Sequence, residues 1–327
     1  MILIKSDGLH VSERGFEIQF HNILPRMYDD TGWTFLTVSC SEESVFTSTF
    51  LYSGHPKMST MQQANRLKQA FMTKKPAFGL WQMLPGSNIS RALARTPGID
   101  WVMVDCEHGN IDDAAMHEAV PAIAAVGVSP IVRIPDFQPW MVKRALDTGA
   151  HGILVPLIRT VQEVKTLVSA CKFPPEGTRG FGSPFAMHTF SPTPSMTTYL
   201  QSANSSLLTM VQIETREALE RVAEIAPLVD VVLVGPFDLG NNIGQPILDG
   251  VMSQELKDAV ESVRVAAERA GVVSGIFCTG PEMAKSCADA GWGMISVATD
   301  LTALMGTMEE RVAVARGEGK LGAKGGY

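Results

Sequence analysis

The sequence predicts an α/β protein built as a (β/α)8 TIM barrel, with eight parallel strands and the active site at their C-terminal ends. From Phe78 onward, short runs rich in Val and Ile alternate with helical segments, as parallel strands joined by crossover helices do. The runs number eight, and they fill about 240 residues, the usual extent of a closed barrel. An open doubly wound sheet would want a glycine-rich fingerprint after its first strand, whereas MLPGSNIS supplies one glycine.

In chain order the expected strands are FGLWQML (78–84), WVMVDC (101–106), SPIVRI (129–134) and GILVPLI (152–158). LLTMVQIE (207–214), DVVLVGP (230–236), SGIFCT (274–279) and MISVATD (294–300) complete the set. Between them SNISRALART, MVKRALDTG, TVQEVKTLVSAC, REALERVAEIA, SQELKDAVESVRVAAERAG and PEMAKSCADAG read as helices, several ending at a glycine suited to a C-cap. Ahead of the first strand, MQQANRLKQAFMTKK reads as one amphipathic helix with Ala64, Leu67, Ala70 and Phe71 on its apolar side. Nearly fifty residues separate the fourth run from the fifth. Their Pro/Gly/Ser-rich part, KFPPEGTRGFGSPFAMHTFSPTPS, is expected to form an active-site loop, because Arg179 sets a cation beside Gly180 and Gly182.

Residues 1–57 differ from the rest, since TGWTFLTVSCSEESVFTSTFLYSGHPK shows no sustained period. They are expected to be an extension outside the barrel, with 58–327 forming one domain that includes an N-terminal helix and a C-terminal helix and tail. The chain is 45% hydrophobic and 19% charged, with a net charge of −7 and no basic block. That balance points to small-molecule partners rather than nucleic acid or an anionic membrane surface. Five cysteines without a C-x-x-C pair suit reduced thiols, and with no signal-peptide core a cytoplasmic protein is expected.

The polar residues at strand ends carry the functional reading. The second strand ends in Asp105, Glu107 and His108, the third in Arg133, the fifth in Gln212 and Glu214, and Asp238 lies in the turn after the sixth. A carboxylate terminating a doubly apolar strand needs a charged partner or a metal. Glu214 and Asp238 are hard oxygen donors from adjacent strand ends and suit Mg²⁺ or Mn²⁺; alternatively Glu214 pairs with an arginine and Asp238 caps its turn. Arg133 offers a planar fork for a carboxylate or enolate, or a salt bridge to Asp105 or Glu107 across the mouth. His108, beside two carboxylates, is an acid/base candidate. The lysines fall on expected helices, loops or tails, which disfavours imine catalysis. The last two strand loops, TGPEM and ATDLT, lack the paired glycines of a barrel phosphate site.

Four motifs in order, VDCEHGN (Val104 to Asn110), VRI (Val132 to Ile134), VQIET (Val211 to Thr215) and GPFDL (Gly235 to Leu239), give the chain a close resemblance to the HpcH/HpaI aldolase family over about residues 62–316. The resemblance implies a class II pyruvate aldolase. Such an enzyme reversibly cleaves a 4-hydroxy-2-oxo acid to pyruvate and an aldehyde through a metal-stabilised enolate. It implies that Glu214 and Asp238 hold Mg²⁺, Mn²⁺ or Co²⁺, that Arg133 steadies the enolate, that His108 with Asp105 manages protons, and that Gln212 lies beside bound pyruvate. It further implies a homo-oligomer, commonly a hexamer. Phe237, counted among the substrate-binding candidates, departs from the family pattern, where many relatives have Ala; its ring either narrows the mouth or points outward, so the resemblance carries no acceptor specificity. A citrate-lyase-like or malyl-CoA-lyase-like cleavage remains open on the same scaffold, as does a non-catalytic barrel protein.

Overall fold

The computed structural model describes residues 58–318 together with the strand segments 34–38 and 48–52. The chain divides into two compact units, Met1–Met58 and Ser59–Tyr327. In the first, β1 (Thr34–Val38) pairs antiparallel with β2 (Ser48–Tyr52), opposing Thr34 to Tyr52 and Val38 to Ser48. This pairing lies in a stretch whose sequence shows no sustained alternation. Other readings made of residues 1–57 fall outside the described residues.

The second unit is the expected barrel. Its strands are β3 (Ala77–Gln82), β4 (Trp101–Asp105), β5 (Ser129–Arg133), β6 (Gly152–Val155), β7 (Leu208–Ile213), β8 (Val231–Val234), β9 (Val273–Ile276) and β10 (Met294–Thr299). All pair in parallel, and β10 closes on β3. Side chains alternate between two cores. Val102, Val104, Val132, Ile153, Val211 and Val232 face the helices, while Trp101, Met103, Ile131, Leu154, Met210 and Leu233 fill the barrel interior. Such full burial contributes about 1.5–3 kcal/mol for each large aliphatic side chain. Gly79 makes room for the largest interior group, since a Cβ there would lie 2.1 Å from the Trp101 ring, whose Nε1 donates to the Ala77 carbonyl at 3.2 Å.

The helices follow local chemistry. Val161–Cys171 begins with a capping box between Thr160 and Glu163, and Gln254–Ala270 ends at Gly271 in the left-handed region, φ 70°. The segment expected as one helix before the barrel is two, Thr60–Ala64 and Arg66–Met72, broken at Asn65. Asn65 is fully buried and uses its side chain elsewhere. Its amide donates to the carbonyls of His151 and Ser206, both at 3.0 Å, and its Oδ1 accepts from Ser129 Oγ at 2.9 Å and from the Lys68 N–H at 3.1 Å. These bonds seal the N-terminal end of the barrel.

The long excursion also belongs to that end, contrary to expectation. It follows the helix Val161–Cys171 and precedes β7, so it is a helix-to-strand connection, opposite the face where strands run into helices. Within it the sequence forms a further helix, Met196–Ser206. Its loop is tied to the residues before β6: Ser183 Oγ donates to the Asp147 carbonyl at 2.7 Å, and Thr189 Oγ1 donates to the Gly149 carbonyl at 2.7 Å. Arg179 is buried there, bonded to Asp147 at 3.0 Å and stacked 4.6 Å from the Phe173 ring centroid. The loop's polar residues therefore serve packing beneath the barrel.

Candidate active site

At the other end, the strands deliver their last residues to a cavity of about 190 Å³. It is lined by Trp81, Met83, Asp105, His108, Arg133, Gln212, Gly235, Pro236, Phe237, Asp238, Phe277 and Thr299. The expected strand runs overshoot the observed strands at this end, and of the overshooting residues Met83, Gly235, Pro236 and Phe277 line the cavity.

Asp105, fully buried at the end of β4, organises the polar part. It takes the fork of Arg133 through Nε at 2.9 Å and Nη2 at 2.6 Å, and Oδ1 also accepts the backbone N–H of Glu107 at 3.1 Å and of His108 at 3.3 Å. Of the two roles open to Arg133, the geometry displays the salt bridge, bidentate to Asp105. Its Nη1 reaches Gln212 Oε1 at 3.2 Å and lies 3.1 Å from Glu107 Oε2. That second approach is an ion-pair contact off the hydrogen-bond axis, which leaves Glu107 Oε2 buried without a hydrogen-bond partner. The guanidinium also stacks 4.4 Å from the Trp81 ring centroid.

Gln212 bridges the two sides of the site. Its oxygen faces Arg133, and its Nε2 donates to Glu214 Oε2 at 2.8 Å, which fixes the orientation of the amide. Glu214 is buried, and its Oε1 accepts the Leu157 N–H at 2.7 Å. Its carboxyl is pushed up to about 7, first by burial and then by the neighbouring Asp238 and Glu107 carboxylates, against the Leu157 bond and Arg133. Glu107 is likewise raised, mainly by burial. Gly235 lets Glu214 come this close, since a Cβ at that position would sit 2.5 Å from Oε2. Asp238, in the first turn of the helix Pro236–Ile243, is exposed, lines the cavity and forms no ion pair among the described residues. The side chain of His108 is 60% exposed at the mouth, with Nε2 3.6 Å from Glu107 Oε1.

The structure thus gathers Asp105, His108, Arg133, Gln212, Phe237 and Asp238 around one cavity, with Glu214 outside the lining and bonded to Gln212 at 2.8 Å. Glu107, Trp81 and Phe277 join them. Glu107 was visible as a strand-end carboxylate, and Trp81 shares the inward parity of Gly79. For Phe277, just past β9, only its place at a strand end marks it. No lysine lines the cavity among the described residues.

Four carboxylates (Asp105, Glu107, Glu214 and Asp238) share one guanidinium, and Asp105 has taken its fork. Among the described residues no group of three or more His, Cys, Asp or Glu side chains is placed to hold a metal. The donor chemistry nevertheless fits a hard divalent cation. Glu214 and Asp238 supply two oxygen donors where negative charge is under-compensated, with remaining positions left to small ligands.

A model of the HpcH/HpaI aldolase/citrate lyase family matches residues 78–306. The hydroxypyruvate/pyruvate aldolase of Agrobacterium fabrum is 33% identical over 246 residues, 75% of this chain and 91% of that protein. The 4-hydroxy-2-oxo-heptane-1,7-dioate aldolase of Salmonella heidelberg is 33% identical over 266 residues, 80% of this chain and 99% of that protein. A solved HpcH/HpaI aldolase/citrate lyase family protein from Burkholderia cenocepacia J2315 superposes with a TM-score of 0.70 at 32% identity, covering 77% of this chain and 99% of that one. With the barrel closed and all four motifs meeting at its C-terminal mouth, the chain belongs to the HpcH/HpaI aldolase/citrate lyase family.

Proposed function

We propose that the protein is a metal-dependent aldolase that reversibly cleaves a 4-hydroxy-2-oxo acid to pyruvate, or a close 2-oxo acid, and an aldehyde. The observation that carries this reading is the carboxylate pair Glu214 and Asp238, set beside the Arg133–Gln212 bridge at the barrel mouth. Mg²⁺, Mn²⁺ or Co²⁺ held by that pair would supply Lewis-acid polarisation of the 2-oxo carbonyl.

The chain's own residues do the rest. Arg133, locked by Asp105 and Trp81, holds a fixed positive charge where the enolate oxygen of pyruvate develops negative charge. Gln212, pinned between Arg133 and Glu214, faces the bound 2-oxo acid with its amide already oriented. His108 stands at the mouth with its main chain anchored on Asp105 and moves the proton of the C4 hydroxyl. An imine route has no lysine to use among the cavity-lining residues. A CoA thioester would want basic groups at the mouth, and the cavity's one guanidinium is committed to Asp105.

A homo-oligomer accompanies this reading, a hexamer being the state the family resemblance implies. It is supported by the helix Asp300–Ala315, which exposes Leu301, Leu304, Met305, Met308 and Val312. No helix among the described residues is long and apolar enough to cross a membrane, and Cys106, Cys171, Cys278 and Cys287 are free thiols, which suits a cytoplasmic setting.

The test is cleavage of a 4-hydroxy-2-oxo acid with and without chelator. Chelation should abolish pyruvate formation, and Mg²⁺, Mn²⁺ or Co²⁺ should restore it. Borohydride added with substrate should trap no imine. A chelator-resistant enzyme with a trappable imine would end the reading.

A further inference from the structure

The cavity is divided by chemistry in a way that follows the barrel order. Most of its polar groups come from β4, β5 and β7 and the turn after β8, with the Thr299 hydroxyl at the end of β10, whereas Trp81 lies one residue before the end of β3 and Phe277 follows β9. The closed order places β9, β10 and β3 side by side, so Trp81 and Phe277 flank one continuous sector of the mouth. They pack edge to face, with ring centroids 5.3 Å apart and planes at 79°. Phe237, between β8 and β9 in the chain, extends that sector outward and is 43% exposed. An exposed ring beside a catalytic cavity gains by being covered, and what covers it best is another flat apolar group.

The charges of the cavity say what does not belong there. Arg133 is the only Lys or Arg lining it among the described residues, and its fork is spent on Asp105. His108 faces Glu107, so any positive charge it carries is already matched. With the metal taken up by the 2-oxo acid and the Arg133 fork by Asp105, an aldehyde's own carboxylate would meet no further Lys or Arg in the cavity lining. A polyhydroxylated aldehyde would lay hydroxyls against phenyl rings that return no hydrogen bond.

We infer that the aldehyde half of the substrate is an uncharged aromatic aldehyde, seated on Phe237 and Phe277. The inference rests on the aldolase reading and narrows it. The physiological substrate is then a 4-aryl-4-hydroxy-2-oxo acid. Cleavage breaks its C3–C4 bond: the C4 hydroxyl loses its proton, the electron pair passes to C3 as the pyruvate enolate, and protonation of C3 completes pyruvate. No oxidant or reductant is required.

Two measurements on the full-length, metal-supplemented protein separate this inference from the reading beneath it. Exchange of the pyruvate methyl protons with D2O, followed by NMR, reports enolate formation without any acceptor. Aldol addition of pyruvate is then compared for benzaldehyde, acetaldehyde, glyceraldehyde and succinic semialdehyde. We expect exchange, and a kcat/KM for benzaldehyde at least about tenfold above those for glyceraldehyde and succinic semialdehyde. Phe237→Ala should raise KM for benzaldehyde about tenfold while leaving that for acetaldehyde within about twofold, and Phe237→Leu should fall between. Exchange with succinic semialdehyde or glyceraldehyde preferred would overturn the inference and leave the aldolase reading standing. A Phe237→Ala enzyme with equal KM changes for both small and aromatic acceptors would also overturn it. Absence of exchange under every metal would remove both.

Discussion

The two ends of the barrel handle polar groups in opposite ways. At the N-terminal end Asn65, Ser129, His151 and Thr189 are buried and linked to one another or to backbone carbonyls, and the buried Arg179 is paired one to one with Asp147, although its Nε and Nη1 find no hydrogen-bond partner. At the C-terminal end four carboxylates crowd one arginine, and Glu107 Oε2 has no hydrogen-bond partner. The first pattern balances its charges within the folded chain. The second leaves negative charge uncompensated and so stores affinity for a cation. Substitutions at the two ends should therefore fail differently, in stability at one and in turnover at the other.

The largest expected effect is at Glu214. Glu214→Gln keeps the shape and removes a charge that burial disfavours, so turnover should fall by about 10³-fold or more while the metal-free melting temperature holds or rises. In the wild type, metal at about 100 times its Kd should add roughly 2.7 kcal/mol of stability, and the variant should lose most of that gain. Melting curves and activity on the same samples check both. A drop in melting temperature with chelator-indifferent residual activity would make Glu214 a structural ion-pair partner.

Next comes Arg133→Lys. An ammonium cannot reproduce the two bonds to Asp105 and the stacking on Trp81, so we expect about a 10²-fold loss in kcat/KM with the fold retained by circular dichroism. Near-normal rates would assign Arg133 to stability alone.

At the opposite end, Asn65→Ala removes the amide's bonds to two backbone carbonyls and the acceptor facing Ser129 Oγ, which keeps the Leu67 N–H and His151 Nδ1. It should cost about 3 kcal/mol in denaturant titration, with kcat/KM of the folded fraction unchanged. His151, stacked on Phe190 and fully buried, has its pKa lowered by burial to about 4. The unfolded chain therefore takes up the proton first as pH falls. Its contribution is complete above about pH 6.5 and is lost progressively toward pH 4, roughly 3 kcal/mol in all, and His151→Gln should flatten that slope.

The smallest effect is expected from deleting residues 1–57. A chain beginning at Met58 should fold and turn over within about twofold of the full protein, in keeping with the division into Met1–Met58 and Ser59–Tyr327. Insolubility of the shorter chain alone would merge the two units.

These contrasts also show what the sequence could reveal. The strands were legible because valine-rich runs buried on both faces are hard to place elsewhere, and the mouth because polar residues at the ends of such runs are few. What depended on distant partners was not. Asn65 sits in a segment with sound helical periodicity, and the carbonyls that draw it out of the helix lie far along the chain. Arg179 looked like a mobile cation among glycines, but the order helix, loop, strand placed its loop beneath the barrel, where Asp147 claims it. Arg133 had two candidate roles that only the Asp105 register partner across β4 and β5 could separate.

The Asn65 seal also bears on the speed of folding. Its acceptors are 86 and 141 residues downstream, so the bonds can form only after β6 and the turn into β7 are in place. A contact that closes after the transition state shows itself when lost as faster unfolding with folding hardly slowed, the split expected for Asn65→Ala in chevron kinetics. On that expectation one amide side chain, at the end remote from the chemistry, helps set the barrel's lifetime between opening events.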